Sequence, residues 1–326
     1  MRRLWIGANL VGEARLDTRY ALVPILLALS GLAGCIGPAA EPEVGRLDVR
    51  RLPGESVQTD LLVDWAETLL AGRCMASGGY KFIVDWPYDD LPLPVGPFGS
   101  DDVETARTVG FGLRAGRASI TEDPNQALVA GLSLARQAQY TAAMFGADTD
   151  QAKVTLPDGS VVSTGLSGCL ADARRALFGQ DLDGWFRLDV WASNAQEEIL
   201  SQVLGSAEYG KALDVWRTCI TDNGYATGDP VAARDLVAQA HGQLSADVAW
   251  QLERKIAVAA ATCARQSSLV SIGQRLQTQI TATVLARSPA NAAEHERRRT
   301  TAIDKARQLR AELAFSAQPT EHKEGK

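Results

Sequence analysis

The chain has 326 residues and carries 33 Lys and Arg against 39 Asp and Glu, a formal net charge of −6 at pH 7. An acidic balance argues against a nucleic-acid partner and against a polybasic membrane contact. Alanine is abundant, aromatics make up only 6 % and arginine far exceeds lysine, so the composition points to a mostly α protein of one large or two small domains.

Residues 21–33 are apolar and small, interrupted by Pro24 and Ser30. Such a run is shorter than the ~20 apolar residues that span a hydrocarbon core and has the length of a signal-peptide core. Arg2, Arg3, Arg15 and Arg19 precede it, and Leu32-Ala33-Gly34-Cys35 follows. This arrangement resembles the lipobox of bacterial lipoproteins. The resemblance implies a signal peptide over 1–34 and cleavage before Cys35, whose thiolate accepts a diacylglyceryl group. The protein would then be held on the outer face of the cell membrane by lipid, each buried CH₂ contributing ~0.8 kcal/mol. Residues 35–58 mix Gly37, Pro38, Pro42, Gly45, Pro53 and Gly54 with charges, the pattern of a flexible tether.

Two helical regions follow, over 59–205 and 206–317. In the first, Leu62, Trp65, Leu69 and Leu70 keep helical spacing and predict a helix over 59–74 that Gly78-Gly79 stops. Residues 85–100 hold four prolines and three aromatics and read as a loop that packs by its side chains. Ser100 is expected to cap a short helix starting at Asp101-Asp102, which Gly110-Phe111-Gly112 ends. Asp123-Pro124-Asn125-Gln126 starts a helix running to about Phe145. Alternation on both sides of Pro157-Asp158-Gly159 predicts a β-hairpin over about 153–163. Helices are then expected from Cys169 to Phe178 and around 185–204.

In the second region, helices are expected over 208–221 and 229–241. A long helix from Ser245 through Cys263, broken near 266–268, and a last helix from Ser288-Pro289 to about Phe315 would form a C-terminal helical hairpin. Residues 318–326 form a polar, disordered tail. The fold class is thus mostly α: a disulfide-stapled helical domain with one small hairpin.

Cys74, Cys169, Cys219 and Cys263 remain after Cys35, and an even number in an exported chain favours disulfides. Three pairings are open. The favoured one joins Cys74 to Cys169 and Cys219 to Cys263, each tying a helix to its downstream neighbour. No Cys-x₂-Cys occurs and the three histidines are scattered, so neither a metal nor a cofactor is expected. Two short echoes appear: Cys74-x₄-Gly79-Tyr80 with Cys219-x₄-Gly224-Tyr225, and Ala143-Met144-Phe145-Gly146 with Ala176-Leu177-Phe178-Gly179. Each has the form of a helix end closed by glycine.

The string Trp216-x₂-Cys219-Ile220-x₃-Gly224-Tyr225, the Ala-rich helix ending in Cys263 and the Ala176-Leu177-Phe178-Gly179 run after Gly168-Cys169 are similar to the uncharacterised lipoproteins of actinobacteria. Ala260 departs from that group, where an acidic residue often sits three before the last cysteine. The resemblance implies an envelope location and no established activity.

No complete catalytic constellation is visible. Gly165-Leu166-Ser167-Gly168 resembles a nucleophile elbow with its second glycine one residue early. Asp181-Leu182-Asp183-Gly184 begins like a calcium loop but has Ala192 at position twelve. His241 and His295 lie on polar helices and are expected to be solvated. The leading expectation is therefore a non-catalytic binding or scaffolding module with a protein partner in the envelope. One alternative is a cell-envelope hydrolase using loop carboxylates among Asp85, Asp89, Asp90, Asp101 and Asp102. Another is a binder of a small apolar ligand through Trp86, Tyr88 and Phe98, which needs an apolar pocket beneath that loop.

Overall fold

The computed structural model describes residues 45–50, 52–53, 58–85, 96–113 and 123–316. Cys35, most of the expected tether, Trp86, Tyr88, Asp89, Asp90 and the tail over 318–326 lie outside the described residues.

Helix α1, Thr59–Ser77, buries Leu62, Trp65, Ala66 and Leu69 on one stripe. A Schellman cap ends it: the amide of Gly79 donates to the carbonyl of Ala76 and that of Tyr80 to Met75. The chain then forms β2, Phe82–Val84, which runs parallel to β1, Leu47–Val49, with Leu47 opposite Phe82 and Val49 opposite Val84. Parallel strands need a crossover, and α1 is that crossover. It lies on the strand pair through Gly72, where a Cβ would fall 2.7 Å from the Phe82 ring. Part of the expected tether is therefore a strand. Nothing in its three residues alone announces this, because the partner lies beyond the whole of α1.

Short helix α2, Val103–Val109, is capped by Asp102, which accepts from the amides of Glu104 and Thr105. Ser100, expected as the cap, instead accepts from the amide of Asp102 at 3.2 Å. The helix expected from Pro124 to Phe145 is divided into α3, Pro124–Ala130, and α4, Leu134–Phe145. Gly131 closes the first, and the Ser133 hydroxyl caps the second by accepting from the Arg136 amide. The hairpin is present as β3, Gln151–Thr155, and β4, Val161–Gly165, antiparallel with Val154 opposite Val162.

Six helices come next: α5, Gly168–Phe178; α6, Leu182–Leu204; α7, Ala207–Asp222; α8, Pro230–Gln243; α9, Ala246–Gln266; and α10, Leu269–Leu285. They are followed by α11, Pro289–Ser316. The break between α9 and α10 falls at Ser268, a left-handed residue with φ 54°. The architecture is mostly α, with two small two-stranded sheets among the described residues.

Both disulfides join the favoured pairs, Cys74–Cys169 between α1 and α5 and Cys219–Cys263 between α7 and α9. The first is flanked by a fork-to-fork ion pair. Arg174 of α5 reaches both carboxylate oxygens of Glu67 at 3.1 and 3.2 Å and the Thr164 hydroxyl at 2.8 Å. The echo around the cysteines is a repeated cap, since Gly224 and Tyr225 donate to Thr221 and Ile220 as Gly79 and Tyr80 do to theirs.

Two cores result. The first gathers α1, β2, α4 and α5 around Trp65, Leu69, Met75 and Leu177. The second gathers α2, α7, α8, α9 and α10 around Trp216, whose indole nitrogen donates to the carbonyl of Ala260 at 3.0 Å. Helix α6 joins them. Phe186 and Val190 pack on Ala152 of the hairpin, Ala195 and Ile199 on Val284 of α10, and Val203 enters the second core.

The expected C-terminal hairpin is not formed. Helix α11 packs against α1 and α5, where Ala302, Ile303 and Ala306 complete the first core. Arg299 pairs with Asp60 at 2.6 Å, and Arg310 donates to the Pro53 carbonyl at 2.7 Å. The boundary expected at 205/206 is thus crossed by the last helix. Ala302 and Ala306, both fully buried, let α11 lie close to α1.

Removing either disulfide by paired Cys→Ala substitution is expected to cost about 2–5 kcal/mol, measured as the denaturation midpoint. Ser268→Gly is expected to raise stability by about 0.5–1 kcal/mol, because glycine carries no Cβ penalty in the left-handed region. Glu294, bonded to Arg297 and Arg298, is held down from 4.5 to about 2. Its folded-state value lies below the unfolded one, so its contribution is complete above about 4.5 and is lost as pH falls through about 2. Denaturation across that window should show a weaker acid dependence in Glu294→Gln.

Candidate functional site

Helix α9 carries three different faces. One, with Ile256 and Cys263, enters the second core. A second, with Ala257, Ala260, Ala261 and Ala264, faces α2 and the segment before it. A third, from Gln251 to Thr262, borders an open groove.

At the join of the first two faces sits Glu253, with none of its surface exposed. A buried carboxylate must be paired and hydrogen-bonded to be tolerated. One oxygen of Glu253 accepts from the amides of Phe111 and Leu113, both at 2.9 Å. The other lies 2.6 Å from Nε2 of His241, which is 5 % exposed. Gly110, at φ 66°, leaves room for this arrangement, since a Cβ there would stand 2.8 Å from the bound oxygen. The turn read in the sequence as the end of α2 is therefore built around a carboxylate from α9. His241 is not solvated, as its polar neighbours suggested, but buried against that carboxylate. Glu253 itself had a readable signal: it lies four residues after Ala249 and three before Ile256, on the stripe that must face inward.

Glu253 and His241 are of acid–base type, but both carboxylate oxygens are engaged inside the protein. Their effect is to hold residues 110–113 against α9. That turn and the Ala face of α9 bound a crevice of about 440 Å³, with Gly96, Gly99 and Pro230 on its far side and Ser100, Asp102 and Thr105 as its polar members.

The other sequence candidates lie apart from one another. Phe98 is 4 % exposed and does not line the crevice; it packs on Tyr209, ring centroids 5.6 Å apart, in space left by Gly273. Burial there pushes the Tyr209 hydroxyl up to about 12. Asp102 accepts from the Thr105 hydroxyl at 2.5 Å and from two amides, bonds that hold its carboxyl below the usual range. The backbone carbonyl of Asp101 accepts from Arg265 at 2.7 Å. Asp181 caps α6 by accepting from Gly184, and Asp183 pairs with Arg187 at 2.9 Å; both are explained by helix chemistry. Ser167 lies between β4 and α5, the strand–turn–helix context of an elbow, but has no hydrogen bond to a histidine among the described residues. His295, also expected in solvent, is half-buried: it stacks on Trp185 at 5.3 Å, Trp185 stacks on Phe178 at 4.1 Å, and Nε2 lies 3.7 Å from Asp189. Among the described residues no group of His, Cys, Asp and Glu could hold a metal ion, and no helix is long and apolar enough to cross a membrane.

In comparisons with known proteins, no family model, no curated protein and no solved structure matches the chain.

Glu253→Ala would remove the carboxylate that His241 and the amides of Phe111 and Leu113 share. It is expected to cost about 3–5 kcal/mol in chemical denaturation. In hydrogen exchange the amides of Phe111 and Leu113 should lose protection.

Proposed function

We propose that the chain is a lipid-anchored binding module on the outer face of the cell membrane, one of a group that includes the uncharacterised lipoproteins of actinobacteria. The observation that carries this reading is the pair of disulfides, one in each core. Such bonds persist in oxidising compartments and are rare in the reducing cytosol. They agree with the apolar run and the Leu32-Ala33-Gly34-Cys35 sequence upstream. Binding rather than catalysis is favoured by the use made of the acidic groups: Glu253 holds a turn, and Asp102 and Asp181 cap helices. A hydrolase reading would need two carboxylates free to face one cleft, and Asp102 is already bonded within α2.

A second reading, uptake of a small apolar ligand, is favoured by the crevice of about 440 Å³ against the Ala face of α9. It would use that face in place of the expected aromatic trio, since Phe98 is turned into the core.

The anchored reading is tested by growing cells with an alkyne-bearing fatty acid. The protein should take up the label and fractionate with membranes, while Cys35→Ala should be unlabelled and released. Labelling that survives Cys35→Ala, or none in the parent protein, would remove the reading.

A further inference from the structure

The open face of α9 forms a groove of about 490 Å³ with Asn223 and Tyr225 from the connection between α7 and α8. Its polar members on α9 are Gln251, Arg254, Lys255 and Thr262, spaced at three, one and seven residues so that they share one side of the helix. Among the described residues the groove lining holds two cations and no carboxylate, in a chain whose net charge is −6. Local charge thus runs opposite to the charge of the whole, which favours anions at the groove.

Arg254, Asn223 and Thr262 are held in place before any ligand arrives. Arg254 donates through Nε to the carbonyl of Arg107 at 2.7 Å and lies 5.9 Å from the Trp250 ring centroid, which fixes its guanidinium plane. Lys255 has no ion pair among the described residues. Asn223 donates its side-chain amide to the Cys219 carbonyl at 2.9 Å, leaving its oxygen to accept. Thr262 donates to the Val258 carbonyl at 2.8 Å, leaving its hydroxyl oxygen to accept. Tyr225 is set by the cap in which its amide donates to Ile220. The Cys219–Cys263 bond joins the two walls covalently, so little ordering is lost on binding.

This set combines one phenol ring, two amides, one aliphatic hydroxyl and two cations around Val258. The ring offers an apolar face, the amides and hydroxyl match a ligand rich in hydroxyl groups, and the cations match a carboxylate or phosphate. We propose that this groove binds an acidic saccharide, a sugar bearing a carboxylate or a phosphate. The proposal rests on the reading of the chain as a binding module and names the ligand class of that module.

The test is calorimetric titration of the full-length, oxidised protein in detergent with four probes: trigalacturonate, its methyl ester, glucose 1-phosphate and a hexaglutamate peptide. Trigalacturonate or glucose 1-phosphate should bind, and which of the two binds distinguishes carboxylate from phosphate recognition. The methyl ester and the peptide should not. Arg254→Gln with Lys255→Gln should weaken binding by about tenfold or more, as expected when charge-assisted hydrogen bonds are lost. Lys255→Gln alone, an exposed change, should weaken it without altering the melting temperature. Failure of both acidic probes to bind, equal binding of the ester, or binding indifferent to these substitutions would overturn the proposal. Equal binding of hexaglutamate would reassign the groove to acidic peptides. Loss of saccharide binding with Cys35 labelling intact sinks the ligand class alone; loss of labelling with saccharide binding intact sinks the anchored reading alone.

Discussion

The covalent link between a helix end and a downstream helix is the constraint on which both cores rest. Each disulfide cysteine on α1 and α7 lies five residues before a left-handed glycine, Gly79 or Gly224. The end of the helix, the reversal of the chain and the cross-link are therefore set within one short stretch. Once Cys74 is joined to Cys169, α5 has a fixed place on α1, and Arg174 can meet Glu67 and Thr164 together. Once Cys219 is joined to Cys263, Trp216 stands beside Ala260 and can give its indole hydrogen to that carbonyl. The same two bonds decide which sides of α5 and α9 remain for other work.

On α9 that remaining work divides by residue size. Alanines at 257, 260, 261 and 264 let α2 and its flanking turns come near, and a side chain of any length there would hold them off. Glu253 is the exception, a full-sized charged group among small ones. Its carboxylate takes the place that a helix or sheet would otherwise fill as hydrogen-bond partner for the amides of Phe111 and Leu113. A buried charge is a poor source of net stability but a strict specifier of geometry, and here the geometry specified is that of a crevice wall. The opposite side of the helix keeps its long polar side chains, Gln251, Arg254 and Lys255, at the open groove.

Helices with strong caps were readable from the sequence, as were the hairpin and the cysteine pairs, because each is written in a few adjacent residues or in simple order along the chain. Asp229-Pro230, Pro157-Asp158-Gly159 and Ser288-Pro289 are signals of this kind. What was not readable depends on distant partners. Strand β1 is three residues long and is a strand only because β2 lies beside it. The division at Gly131 was missed because apolar spacing continues on both sides of it. The destination of α11 was missed because Ala302, Ile303 and Ala306 say that one face is buried and not against what. Of the site, the open face of α9 is plain helical periodicity, whereas the roles of His241 and Glu253 required knowing that residues 111 and 113 come to Glu253 across 140 residues or more.

The return of α11 to α1 also sets an order of events. Asp60 and Arg299 are 239 residues apart in the chain, so the earliest helix waits for the latest one. Contacts of such separation form slowly, because a long loop must close before they repay it. A chain delivered from its N-terminus would have its first helix, its hairpin and Cys169 in place while the groove over Ala302 and Ala306 was still bare. The second core, whose described members lie between Phe98 and Ile280, takes none of them from α11. Maturation would then run from the middle of the molecule outward, and the part nearest the expected lipid anchor would be the last to become solid.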